Sequence, residues 1–186
     1  MKRILVLALF LSITLSASSL YAQGFGVRAG WQSAGTYNDG DQIDGNLHSL
    51  YVGIFRPRPI GPGTFLSWVG GLEYSQQGHR DNDENFRKIH YLSVPLALRF
   101  KFGPVLLQGG INTNMRVAEK VLLMDEDITS QTKTNFLDFA YQLGAAFNFG
   151  PVGVEARYHG GLLDVNEGNK NRYLQIGVSL RIKKAE

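Results

Sequence analysis

Side chains alternate between apolar and small or polar along this chain with a period of two, in eight separate segments. That period puts successive side chains on opposite faces of an extended strand and does not fit the 3.6-residue period of a helix. The clearest segment is 91–102. Leu92, Val94, Leu96, Leu98, Phe100 and Phe102 fall on one face, and Tyr91, Ser93, Pro95, Ala97, Arg99 and Lys101 on the other. Wound into a helix, those charges would spread around the cylinder. The other segments are 24–32, 47–56, 64–77, 105–117, 136–148, 152–162 and 172–182. Eight strands of about ten residues make an even set, each long enough to cross a bilayer.

The connections alternate in length. Segments 33–46, 78–85, 118–135 and 163–171 are long, whereas 57–63, 103–104 and 149–151 are short and built of glycine and proline. Every acidic residue except Glu73, Asp138, Glu155 and Glu186 falls in the long set, and the opposite end gathers Arg56, Arg58, Arg181, Lys183 and Lys184. A barrel spanning an outer membrane has this asymmetry, with short periplasmic turns and longer external loops. The expected fold is all-β, an eight-stranded antiparallel up-and-down transmembrane β-barrel.

Alternation also fits a soluble, lipocalin-like carrier of a hydrophobic ligand, with the apolar face inside. The less apolar face decides between them. A solvated face carries many charged residues, but here it is dominated by Gly26, Gly30, Gly53, Ser75, Ser93, Ala97, Ala140, Gly144, Gly177 and Ser179. Such residues suit a narrow lumen filled by its own side chains. The opposite face is almost uncharged, as lipid demands, because a lysine or arginine at the midplane costs about 2–4 kcal/mol. Closure pairs every backbone group within the wall. Pro95 lacks a donor, so a bulge or irregular bonding is expected there.

Nine charged or titratable residues fall on the inner face: Arg28, Glu73, Arg99, Lys101, Arg116, Asp138, Glu155, Arg157 and His159. In a tight lumen they must pair or be hydrated. We expect a lower network centred on Glu155, an upper one using Glu73 or Asp138, and a plugged lumen. Trp31, Trp68, Tyr74, Phe102, Phe147, Phe149 and Tyr158 are candidates for the aromatic girdles at the two membrane interfaces. No serine stands in a nucleophile motif with His48, His79, His90 or His159. The acidic runs 38–41 and 81–85 miss the spacing of a calcium loop. No catalytic residue, metal site or cofactor is expected. A lipid-modifying enzyme would need a lateral groove and a polar triad near one rim.

Residues 1–22 read as an export signal, with Lys2 and Arg3 before a short apolar run and Ala22 before the cut. Residues 23–186 would then be the barrel domain. Absence of cysteine excludes disulfides, thiolate metal sites and a lipoprotein anchor. A formal charge of +3 is too small to argue for nucleic acid. The expected location is the outer membrane of a Gram-negative cell envelope. The expected partners are outer-membrane lipid, the barrel assembly machinery during insertion, and an envelope protein engaged through the loops.

The run Tyr91-Leu-Ser-Val-Pro-Leu-Ala-Leu-Arg-Phe-Lys-Phe-Gly103 resembles the fourth-strand signature of the PorT-like outer-membrane β-barrel family. Gly71-Leu-Glu-Tyr-Ser-Gln-Gln-Gly78 is similar to its third strand, Val154-Glu-Ala-Arg-Tyr-His-Gly-Gly-Leu162 to its seventh, and Asn171-Arg-Tyr-Leu-Gln-Ile-Gly-Val-Ser-Leu180 to its last. The resemblance spans the chain after the signal and implies a barrel without an assigned reaction. In its namesake branch it implies a link to protein secretion. The chain departs from the pattern by finishing Ile182-Lys183-Lys184-Ala185-Glu186 rather than on the terminal aromatic that the insertion machinery reads.

Overall fold

A computed structural model describes residues 24–38, 41–42, 45–63, 65–80, 85–124, 126–127, 135–163 and 168–182. The proposed export signal lies outside them. Eight long strands follow one another: β1 (Phe25–Asn38), β2 (Leu47–Pro59), β3 (Leu66–Arg80), β4 (Phe86–Phe102), β5 (Val105–Leu123), β6 (Leu137–Phe149), β7 (Val152–Gly161) and β8 (Asn169–Ile182). Each pairs antiparallel with the next, and β8 pairs with β1 to close the barrel. The seam is continuous, from Phe25 opposite Ile182 to Asn38 opposite Asn169. Two-residue strands at Asp41–Gln42 and Glu126–Asp127 fold back onto β1 and β5 at the long-loop end.

The short turns follow from their sequences. Gly103 and Gly150 have φ of 61° and 64°, a left-handed conformation that glycine adopts without a Cβ penalty. A proline follows each. The carbonyls of Pro104 and Pro151 then accept the Asn148 and Arg181 N–H groups at 2.9 and 2.8 Å, tying each turn to the neighbouring strand.

Strands run past the apolar alternation at the long-loop end. β1 continues to Asn38 rather than stopping at 32, β4 begins at Phe86 rather than 91, and β5 continues to Leu123 rather than 117. Hydrogen bonding does not stop where the outward side chains turn polar, so alternation of hydrophobicity marks the apolar belt and not the strand. The connection assigned to 118–135 is correspondingly shorter.

The irregularity expected at Pro95 is not a bulge there. Pro95 stays in register opposite Asn112. On the β3 side the rungs run from Leu66 to Gly70 and resume at Glu73 with register unchanged, so the missing donor only interrupts the ladder. The register shift in β4 falls instead between His90 and Tyr91.

Apolar side chains point outward. Leu50 is 73% exposed, Leu143 58% and Val178 55%, whereas Gln32, Gln175, Asn114 and His159 are fully buried. A water-soluble carrier has the reverse distribution, so the lipocalin-like alternative is not favoured.

Candidate functional site

The lumen holds the densest set of buried polar groups. Period-two geometry puts Arg28 and Gln32 of β1, Glu73 of β3, Glu155, Arg157 and His159 of β7, and Gln175 of β8 on inward faces. Arg157 Nη2 donates to Glu73 Oε2 at 2.7 Å. Its Nε lies 3.3 Å from Glu155 Oε1, and Arg28 Nη1 is 3.7 Å from that same oxygen. Glu73 Oε1 accepts from Gln175 Nε2 at 2.7 Å, and that amide also reaches Gln32 Oε1 at 2.8 Å. His159 Nε2 is 3.0 Å from Gln175 Oε1, and its ring stacks on Tyr173 with centroids 4.2 Å apart. Two carboxylates thus share one guanidinium, and uncharged amides carry the contact to the opposite wall. Glu73 and Glu155 belong to one network joined by Arg157, where counting along the strands separates them into an upper and a lower one.

The remaining inner charges sit elsewhere. Arg99 bonds Gln108 Oε1 with two nitrogens, at 2.7 and 3.2 Å, and its guanidinium faces the Phe55 ring. Asp138 accepts from Asn114, which also accepts from Ser93 and from Asn112; Asn112 in turn donates to the Tyr173 hydroxyl. Arg116 and Arg87 both bind Glu119 toward the long-loop end. Glu119 falls in the 118–135 connection by alternation alone, and the extension of β5 to Leu123 brings it here instead.

Large residues fill the rest of the lumen. Tyr91 is buried on the face where its alternation with Leu92 puts it, and Tyr51, Phe55 and Tyr173, which the small-residue pattern does not mark, are buried with it. Tyr51 donates to Glu155 Oε1 at 3.3 Å and lies 5.1 Å from the Arg157 guanidinium carbon. Arg28 sits 4.3 Å over the Phe55 ring. The small residues of the inner face are the other half of this packing. Gly30 and Gly177 face each other across the seam, and a Cβ on either would meet the Tyr51 ring or hydroxyl as well as backbone. The signal available in sequence was the 2-residue phase of Tyr51 and Phe55 with Gly53, opposite the outward Leu50, Val52 and Ile54.

On the outer face, Phe102, Phe147, Phe149 and Trp68 lie at the short-turn ends of their strands and are exposed. Phe147 and Phe149 rings pack at 4.8 Å. Trp31 stacks on His48 at 5.3 Å, Tyr74 O–H bonds His90 Nδ1 at 2.6 Å, and Tyr158 lies against Tyr141. Among the described residues no group of three or more metal-ligating side chains converges.

The family described as outer membrane protein beta-barrel domain matches residues 5–181; this match is to the general family and does not extend to the more specific PorT-like one. No curated protein matches in sequence. Solved structures do match in fold. The attachment invasion locus protein Ail of Yersinia pestis superposes with a TM-score of 0.55 at 17% identity, covering 86% of this chain and 99% of Ail. Neisserial surface protein A gives 0.57 at 16% identity, covering 85% and 97%. Ail has also been solved with the heparin analogue sucrose octasulfate, where the TM-score is 0.50 at 16% identity and coverage is 86% and 99%.

Proposed function

Because this chain belongs to the outer membrane protein beta-barrel domain family, we propose that it is a non-conducting barrel that presents its long loops to the cell exterior as a binding surface. The observation that carries the reading is the Glu73–Arg157–Glu155 network, which spans the lumen between β3 and β7 and continues through Gln175 to Gln32. Side chains from opposite walls occupy the axis, as filled eight-stranded barrels require. Their role is a plug, not a pathway or a catalytic centre.

Residues 1–22 direct export, and the barrel assembly machinery inserts the remainder. The loops then carry the specificity, because a rigid wall leaves only the connections free to vary. Their composition constrains the partner. Asp39, Asp41, Asp44, Asp81, Asp83 and Asp125 make the loop set acidic. A polyanion such as the one bound to Ail would be repelled, so the partner is an envelope or surface protein with a neutral or basic face. Protein secretion, implied by the PorT-like resemblance, is a process in which such a partner would serve.

Planar-bilayer recording tests the plug. The expected result is no steady current from the purified protein, and a stable open channel of porin size overturns it. Cross-linking through the loops on intact cells tests the surface role. Capture of the same partner by a barrel with all four loops shortened would overturn that role.

A further inference from the structure

At the long-loop end of the outer face, Lys88 of β4 and Lys120 of β5 are directly opposed across the ladder. Directly opposed like charges in a sheet repel, and the usual remedy is to exchange one for an acid. Here both remain, and neither makes an ion pair among the described residues. Instead both ammonium groups lie 5.9 Å from the ring centroid of Phe86. Arg80, opposite Phe86 on β3, brings a third cation to 5.3 Å from the same ring. Three cations from three adjacent strands therefore surround one aromatic ring. Gly78, opposite Lys88, contributes no side chain to cover them from β3.

The position of this cluster narrows its ligand. One rung closer to the short turns lie His90, hydrogen-bonded to Tyr74, and Gln76, which donates to the same hydroxyl at 3.2 Å. Below them the same face of β4 continues as Leu92, Val94, Leu96, Leu98 and Phe100. From Lys88 to Val94 is about 20 Å along an extended strand, shortened further by strand tilt. The cations thus sit at the upper margin of the apolar belt, where the hydrocarbon ends and headgroups begin.

We propose that Lys88, Lys120 and Arg80 form a binding site for the phosphate of an outward-leaflet lipid headgroup, with the Phe86 ring holding the ammonium groups in place. The lipid's chains lie along the Leu92–Val94–Leu96 stripe, and its phosphate relieves the Lys88–Lys120 repulsion. The proposal rests on the membrane-spanning reading above, but the cluster lies outside the lumen. A conducting pore would therefore sink the plug and leave the present measurement intact.

The full-length protein is reconstituted in phosphatidylcholine nanodiscs doped with diphosphoryl lipid A, and retained lipid is counted by native mass spectrometry. Lipid A stripped of both phosphates serves as the paired probe. Retention at least fivefold greater for the diphosphoryl form is expected, with that preference lost in K88Q/K120Q and kept in the opposite-rim variant R58Q. Heat-modifiable migration on gels shows that each variant is folded. Equal retention of both lipids, or an unchanged preference in K88Q/K120Q, overturns the site. Lysine-dependent binding of dextran sulfate without any preference between the lipids also overturns it, and makes the patch a polysaccharide surface.

Discussion

Arg157 Nη2 on β7 sits 2.7 Å from Glu73 Oε2 on β3, four strands away and so half the circumference around the wall. Both side chains are buried. A contact of this kind ties opposite walls directly, whereas the hydrogen-bond ladders tie only neighbours.

Removing one partner leaves an uncompensated buried charge, which costs about 3–5 kcal/mol. Glu73→Ala is expected to lower barrel stability by that amount, read from urea unfolding in lipid vesicles. Glu73→Ala combined with Arg157→Met should recover part of the loss, because the orphan is removed with its partner. Strict additivity of the two single changes would show that the residues are not coupled.

Gly177→Ala tests the packing of Tyr51 over the seam. The added methyl points at the Ala29 carbonyl and the Tyr51 hydroxyl, and overpacking of this type costs about 1–3 kcal/mol. Gly70→Ala is the matched control, since nothing lies within 4 Å of its Cβ position. The heat-shift of the folded band on gels should drop for the first and stay level for the second.

Depth in the bilayer should be readable from two leucines. Leu143 lies at the centre of β6 and Leu163 just beyond β7, and both are exposed. Leu143→Arg is expected to destabilise the inserted barrel by about 2–4 kcal/mol, and Leu163→Arg by about 0–1 kcal/mol. Equal costs at the two positions, measured by reversible folding into vesicles, would refute the membrane belt drawn here.

Pro95→Ala supplies the donor missing from the β3–β4 ladder. The residue-95 N–H should then donate to the Gly71 carbonyl, with a gain of about 0.5–1.5 kcal/mol and slow amide exchange at position 95. Exchange that stays fast would mean the interruption has another cause.

Fold was legible in the sequence because a membrane imposes one rule on every strand: outward positions must be apolar. Leu92, Val94 and Leu96 obey it, and so do Val154, Ala156 and Tyr158. The rule lapses above the belt, which is why alternation leaves Thr36 in a connection, Gln77 at a strand end and Arg87 outside any segment, although all three are buried in the lumen. The lumen was legible only in part. Its charges stood out because they are rare, but partners cannot be read from phase alone. Glu73 and Arg157 are 84 residues apart, and only the shear of the closed barrel brings them level. Tyr51 and Phe55 escaped notice because a bulky aromatic on a face of glycines looks like an exception. It is in fact what the glycines make room for.

The β1–β8 seam joins the first barrel residues to be translated with the last. Until β8 lies against β1, two raw strand borders stay unpaired along their full length. A chain cut short before Asn169 therefore leaves the wall open at two edges at once, and the disappearance of a free border marks the finished ring.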